Sequence, residues 1–227
     1  MPTPTVENYV KRLYVEQQRL GEAALVPMGR LAELMNVVPG TATSMVKTLS
    51  EAGLVAYEPR TGVRLTAQGR ALALRVLRRH RIIEAFLVDM LGMDWSEVHD
   101  EAEELEHVVS DKVLERLDVV LGRPDVDPHG DPIPAAAATQ EPAGAQHKAL
   151  TGMMVGQSVT IARIVDQGPQ FLRFLQKHGL LPGVQVTLLQ RNLPADSLRV
   201  QAADHAPVTL GTAAAGKVLV QPQADLD

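Results

Sequence analysis

Apolar residues in this chain repeat at helical spacing before a proline-rich stretch and at strand spacing after it. That change restricts the fold to helices first and a small sheet last. Val6, Tyr9, Val10, Leu13 and Tyr14 recur at helical spacing, as do Leu31, Leu34 and Met35 in the segment Pro27–Met35. The interruption at 36–40 precedes a third segment, for which Thr41 can serve as N-cap, running to Ala52 with Val46 and Leu49 inward and Gly53 as its stop. Two short helices across a tight turn predict a helix-turn-helix. Residues 54–57 and 63–65 flank turn residues at 59–62, so a β-hairpin follows and the arrangement is winged. A long helix is predicted from about Ala67 to Leu91, ended by Gly92. Ser96 can cap the next helix, which runs to about Ser110, and another spans about Asp111 to Leu121.

From Gly122 to about Gly156 the composition shifts, with Pro124, Pro128, Pro132, Pro134 and Pro142, and this reads as a tether with little structure of its own. Beyond it, residues 159–165 alternate as a strand, followed by a short helix at about 169–178 and a turn at 181–183. Further strands at 184–189, 198–202, 208–210 and 217–220 predict a small β-barrel. Three Phe, three Tyr and one Trp leave the core to aliphatic residues, and the absence of Cys excludes disulfides and thiolate metal sites. Charges throughout residues 1–20 argue against a signal peptide, and no apolar run approaches a membrane span, so a cytoplasmic location is expected.

The net charge of −5 conceals an asymmetry. Residues 1–81 carry +6, residues 82–131 carry −12, and residues 132–227 carry +1. A basic third beside an acidic middle implies a polyanion-binding part joined to a cation-binding part. Within the acidic part, His99, Glu103, Glu106 and His107 would share one face of a continuous helix, and no Lys or Arg occurs from Ile82 to Asp111 to neutralise them. Oxygen and nitrogen donors without sulfur suit manganese, ferrous iron or zinc. The competing reading is a solvated acidic face.

The order of these elements, together with Arg79-His80-Arg81, His99 to Ala102, Glu106-His107, Ser110-Asp111 and Asp131-Pro132-Ile133-Pro134, resembles the metal-dependent repressors of the diphtheria toxin repressor family. Leu175, Gly179 and Leu180 to Gly183 resemble the SH3-like module shared with ferrous-iron transport proteins. The resemblance covers essentially the whole chain. It implies a mainly α N-terminal half, with a winged helix-turn-helix (1–66) and a helical metal-binding and dimerisation domain (67–134). A tether (135–156) and a small all-β SH3-like barrel (157–223) would follow.

The resemblance also implies two metal sites, one using Asn8, Glu103, Glu106 and His107, the other His80, Glu84 and His99 with help from Gln167 and Gln170. Asp166 is a possible substitute for Gln167. Glu at position 103, where iron-responsive members have Cys, favours Mn2+ first and Fe2+ second, with other divalent transition metals able to substitute. Asn8 departs from the family's usual Met or Asp. Lys11 stands where the binuclear manganese branch has Glu, which points to separated sites or a single strong one.

If the third helix reads DNA, its leading residues Thr41, Thr43, Ser44 and Lys47 face the major groove, with Arg30, Arg60 and Arg64 adding charge for the phosphate backbone. The expected partners are double-stranded operator DNA and a second copy of the chain, with no membrane and no small organic ligand. The expected function is metal-activated regulation, most simply repression, of manganese or iron homeostasis genes. Two rivals remain: a metal-independent winged-helix regulator, and a metal-dependent hydrolase. The second is disfavoured because neither His opens a His-Glu-x-x-His motif and no nucleophile elbow or phosphate loop is present.

Overall fold

A computed structural model of the 227-residue chain describes residues 2–21, 23–138 and 147–222. The chain divides into two compact units, one of Met1–His80, Glu104–Ser110 and Pro134–Pro142, the other of Arg81–Glu103, Asp111–Ile133 and Ala143–Asp227. No helix among the described residues is long and apolar enough to cross a membrane.

In the first unit, helix α1 (Pro4–Leu20) opens where Thr3 accepts a hydrogen bond from the Val6 amide and Pro4 occupies a position whose N–H would lack a helical partner. Helices α2 (Met28–Leu34) and α3 (Pro39–Glu51) form the helix-turn-helix. Helix α3 starts earlier than expected. Val38 is its extended N-cap and Pro39, with φ preset, takes the first turn, so Thr41 lies inside the helix rather than capping it. Gly53 ends α3 in the left-handed conformation (φ 71°).

Strands β1 (Val55–Glu58) and β2 (Gly62–Leu65) pair antiparallel with Val55 opposite Leu65, and Val26 bridges to Val63 on the other side. Helix α4 (Ala67–Asp89) is capped by Thr66, whose hydroxyl accepts from the Gly69 amide at 3.1 Å and donates to the Gly53 carbonyl at 2.7 Å. Tyr9, Leu13, Leu31, Val46, Leu49, Val63 and Leu74 close one aliphatic core around these elements. The Gln17 amide accepts from the Leu65 N–H, fastening the wing to α1.

The second unit begins in α4 and includes most of helix α5 (Val98–Leu105) and helix α6 (Asp111–Val120). Asp94 rather than Ser96 makes the turn before α5: its carboxylate accepts from the Ser96 amide at 2.8 Å. Helix α5 also stops short of Ser110. The amides of Val108 and Val109 both fold back on the Leu105 carbonyl, and Glu106, His107 and Val108 form a turn. The proline-rich stretch is not a tether over its first part, because Asp127, His129, Asp131 and Ile133 are buried and Val126 bridges Pro132. Part of the remainder, residues 139–146, lies outside the described residues.

The rest of this unit is a six-stranded antiparallel sheet of β3 (Lys148–Ala149), β4 (Ser158–Ile164), β5 (Gln185–Asn192), β6 (Ser197–Ala202), β7 (Val208–Gly211) and β8 (Val218–Pro222). Its order is β3-β8-β4-β5-β6-β7. Helix α7 (Pro169–Lys177) joins β4 to β5, and a four-residue helix α8 (Thr212–Ala215), which strand periodicity does not predict, joins β7 to β8. A register shift between Ile161 and Arg163 lets Ile161 and Ile164 both enter the core while Arg163 remains partly exposed.

A Cβ on Gly69 would lie 1.9 Å from the Leu54 carbonyl oxygen, a backbone atom that cannot rotate away. Gly69→Ala should therefore destabilise the first unit by about 2 kcal/mol or more, in the manner of overpacking. Denaturant unfolding followed by circular dichroism checks this, and an unchanged midpoint would refute it.

Candidate metal centre

In the first unit, the turn after α5 delivers Glu106 and His107 to side chains of α1 and α4. Glu106 is 0% exposed. Its Oε1 accepts from Lys11 Nζ at 2.6 Å and its Oε2 lies 2.7 Å from His80 Nδ1. A carboxylate withdrawn from water in this way is tolerable only with charged or hydrogen-bonding partners. His107 Nδ1 meets Glu7 Oε2 at 2.7 Å, and Nε2 lies 2.9 Å from Asn8 Oδ1 and 3.5 Å from Glu106 Oε1. The Glu7 contact fixes Nδ1 as the donor nitrogen and directs Nε2 towards Asn8 and Glu106. Arg79 donates to Glu7 at 3.2 Å and to the Glu106 carbonyl at 3.2 Å, closing the network.

Asn8, Glu106 and His107 thus converge, and His80, expected in the other site, hydrogen-bonds Glu106. The four-ligand stripe on one helix does not form, because α5 ends before Glu106. Glu7 is a participant that sequence reasoning missed. In the first turn of a helix an acid ordinarily reads as a complement to the helix dipole, and nothing local marks this one as buried.

In the second unit, His99 Nδ1 lies 3.2 Å from Glu84 Oε1, and His99 Nε2 lies 3.6 Å from Glu103 Oε1. Glu84 also approaches a residue outside the expected ligand set: its Oε2 is 3.7 Å from Nδ1 of the buried His129. Glu84, Asp127 and His129 can each bring a donor atom within 4.8 Å of the others. His129 Nε2 faces the Trp95 carbonyl at 2.9 Å, which only accepts, so Nε2 carries a proton and Nδ1 is the nitrogen turned towards the carboxylates. The rings of Trp95 and His129 stack at 5.5 Å.

Neither His129 Nδ1 nor Asp127 Oδ2 has a hydrogen-bond partner among the described residues. Buried donor atoms with only longer contacts, Asp127 Oδ2 to Arg81 at 3.9 Å and His129 Nδ1 to Glu84 at 3.7 Å, fit a bound cation. The loop is held by Arg81, which donates to the Pro132 carbonyl at 2.5 Å, by the Ile164 amide, which donates to the His129 carbonyl at 2.8 Å, and by an ion pair between Arg163 and Asp131. Asp127 and His129 sit in the stretch read as a tether. The available signal was the alternation of Asp, His and Asp at 127, 129 and 131 in the acidic third of the chain.

Burial, with the neighbouring carboxylates of Asp131 and Glu84, pushes the Asp127 carboxyl up to about 8. Burial also acts to lower the His129 imidazole, but Glu84 and Asp127 outweigh it and the net direction is up. The Gln167 amide donates to Asp131 at 2.9 Å, and Gln170 is exposed on α7 without a described contact to these carboxylates. Asp166 is held by Lys217 at 2.6 Å and by the Gly168 amide, which lower its pKa.

Of the residues expected at DNA, Thr41, Ser44 and Lys47 are exposed on α3, opposite buried Ala42, Val46 and Leu49. The Thr43 hydroxyl donates to the Pro39 carbonyl at 2.8 Å. Arg60, at the tip of the wing with φ 69°, and Arg64 are exposed, whereas Arg30 is engaged by Glu16 at 3.0 Å and Glu33 at 3.3 Å.

Three family models match the chain. Residues 1–63 match the iron dependent repressor N-terminal DNA binding domain, residues 66–135 the iron dependent repressor metal binding and dimerisation domain, and residues 148–222 the FeoA domain. The iron-dependent repressor IdeR of Mycobacterium leprae is 32% identical over 217 residues, covering 91% of this chain and 92% of the relative. A solved manganese-dependent transcriptional repressor complex with manganese is 40% identical with a TM-score of 0.84, covering 96% of this chain and 99% of the other. The structure of ScaR with bound Cd2+ is 32% identical with a TM-score of 0.76, covering 96% and 99%.

The Asp127 and His129 shifts have the same consequence for stability. Between about pH 4, where an unfolded aspartate ionises, and about pH 8, Asp127 is protonated in the folded chain and ionised in the unfolded one. Folding then takes up a proton, so stability falls as pH rises through this window. The raised His129 adds stability at low pH that is lost on the same alkaline side. Urea unfolding in chelator should give a lower midpoint at pH 8 than at pH 6, with Asp127 contributing no more than about 1.4 kcal/mol per pH unit. Asp127→Asn should flatten the profile, and a variant as steep as the wild type would contradict the assignment.

Proposed function

Because the chain belongs to the iron-dependent repressor family, which includes the diphtheria toxin repressor, we propose that it is a regulator whose binding to operator DNA is activated by Mn2+ first and Fe2+ second. The observation that carries this reading is the joining of α1 to the turn after α5 through Asn8, Glu106 and His107. Helix α1 packs in one core with α2, α3 and the wing, so what holds α1 bears on the DNA-reading elements. Asn8, Glu103, Glu106 and His107 hold the activating ion. Glu84 and His99, with Asp127 and His129, hold a second, and Gln167 acts on that site through Asp131 rather than as a ligand.

A bound divalent ion supplies concentrated positive charge and directional bonds to oxygen and imidazole donors. The chain's own residues do the coupling. Glu7 orients the His107 ring, Arg79 anchors the carbonyl of Glu106, and α1 is thereby fixed against the turn. Rigid DNA-reading modules in a homodimer can then meet two half-sites together, and metal and DNA affinities must rise together. Exposed Met90, Leu91, Val113, Val119 and Val120 supply apolar surface for the second copy. Thr41 and Ser44 face base edges, Lys47, Arg60 and Arg64 face phosphates, and the Thr43 hydroxyl stays with its own helix. Arg30 reaches a phosphate only by leaving one of its two glutamates. Glu103, a hard oxygen donor, favours manganese over softer ions.

Fluorescence anisotropy with labelled upstream DNA tests the reading, using Mn2+, anaerobic Fe2+, Zn2+ or chelator in parallel. Mn2+ should tighten binding by about a hundredfold, within the range of a coupling energy near 3 kcal/mol, and Glu106→Gln should abolish the gain. Lys47→Ala should weaken binding without changing sequence preference and reduce the salt slope by about one. Glu103→Cys should move the order of activating ions towards softer metals. Equal affinity with Mn2+ and with chelator would overturn the proposal.

A further inference from the structure

We infer that Lys11 is a resident cation of the first centre, seated on a ligand oxygen of Glu106, and that it sets how much divalent metal is needed to occupy that centre. The inference rests on the proposed role of Glu106 and His107 as metal ligands, and concerns what stands between them and the ion.

Lysine is almost never fully buried unless paired, and Lys11 is 4% exposed. It lies one turn beyond Asn8 on the same face of α1, so an oxygen of the candidate ligand set and an ammonium are presented to the same space. The Lys11 Nζ is 2.6 Å from Glu106 Oε1. That oxygen is also the one 3.5 Å from His107 Nε2, the nitrogen that faces Asn8 at 2.9 Å. A cation lying among Asn8, Glu106 and His107 would therefore draw on the oxygen that Lys11 holds. The other oxygen of Glu106 is engaged by His80 at 2.7 Å.

The charges lead to the same conclusion. Glu106 and Glu7 already face fixed cations, Lys11 at 2.6 Å and Arg79 at 3.2 Å. Lys11 therefore supplies Glu106 with a counter-charge before any metal arrives. A divalent ion entering with Lys11 in place meets the positive charge of a buried ammonium at close range. One that displaces Lys11 must break a short, buried, charge-assisted hydrogen bond. Either route weakens metal binding relative to the same donors without the ammonium.

An ordinary structural ion pair would predict a different outcome. If Lys11 only neutralised Glu106, its removal would loosen the fold and impair metal binding along with it. A resident cation predicts that removal loosens the metal-free protein and tightens metal binding, because Glu106 then lacks its internal counter-charge.

The test uses the full-length protein and Mn2+ alone, with isothermal titration calorimetry for affinity and stoichiometry and thermal melting for stability. Lys11→Met and the polar Lys11→Gln should each bind Mn2+ at least tenfold more tightly than wild type, melt lower in chelator, and gain more in Tm on adding Mn2+. Lys11→Arg, which keeps the charge, should stay within about threefold of wild type. The gain should vanish when Glu106→Gln is added to Lys11→Met. Unchanged or weaker Mn2+ binding in both neutral variants, with Glu106→Gln still impaired, overturns the role of Lys11 and leaves the metal centre standing. Mn2+ binding indifferent to Glu106→Gln removes the centre itself, and the inference with it. If Lys11→Met does not fold, Lys11→Gln and Lys11→Arg decide.

Discussion

The complete burial of one carboxylate, Glu106, organises the first unit. An ionised carboxylate out of water is costly by several kcal/mol unless it is matched, and its partners come from separated parts of the sequence. Lys11 reaches it from α1 and His80 from α4, while Arg79 secures its backbone carbonyl. These groups meet only if α1, α4 and the turn after α5 are held together. The requirement that Glu106 be satisfied therefore ties local chain conformation to the placement of α1, and through the shared core to α3 and the wing.

The second unit handles its acids differently. Glu84 and Asp127 are buried near His129, and Asp127 is pushed towards its neutral form by burial and by neighbouring carboxylates. Its loop is pinned from two sides, by Arg81 of α4 at the Pro132 carbonyl and by β4 through the Ile164 amide and Arg163. The sheet of the second unit thus helps position Asp127 and His129 while contributing none of the clustered donor atoms. In one cluster the carboxylates face fixed cations, whereas in the other Asp127 is pushed towards its neutral form, and its Oδ2 and His129 Nδ1 have no hydrogen-bond partner among the described residues.

Helix geometry explains why the pair Arg79 and Arg81 is divided between these tasks. Residues two apart on α4 point about 200° apart, so Arg79 serves Glu7 and Glu106 while Arg81 serves the loop at Pro132. The same reasoning accounts for the division of the acidic stripe. His99 and Glu103 share a face of α5, but the helix ends at Leu105, and Glu106 and His107 follow the path of the turn instead.

The succession of helices, the wing and the strands was legible in the sequence, because helix and strand periods, capping residues and Gly punctuation are local properties. Gly53 and Gly92 ended helices where left-handed geometry was needed, and β4 to β8 followed their alternation. The residue types for metal chemistry, Asn8, His80, Glu84, His99, Glu103, Glu106 and His107, were also legible, through charge asymmetry and resemblance. The resemblance also grouped Asn8 with Glu106 and His107, and Glu84 with His99, but not His80 with Glu106 or His129 with Glu84. Proline content concealed the burial of Asp127 and His129, since Pro favours a linker and a stiff buried loop alike. Glu7 read as an ordinary helix-surface charge, and Lys11 as a departure at a metal-site position rather than as the partner of Glu106. The sequence by itself determined which elements form and which donors exist. Only the tertiary structure decided which further groups join those donors and which already hold a counter-charge, because burial and charge pairing join residues about a hundred positions apart and leave no periodic trace along the chain.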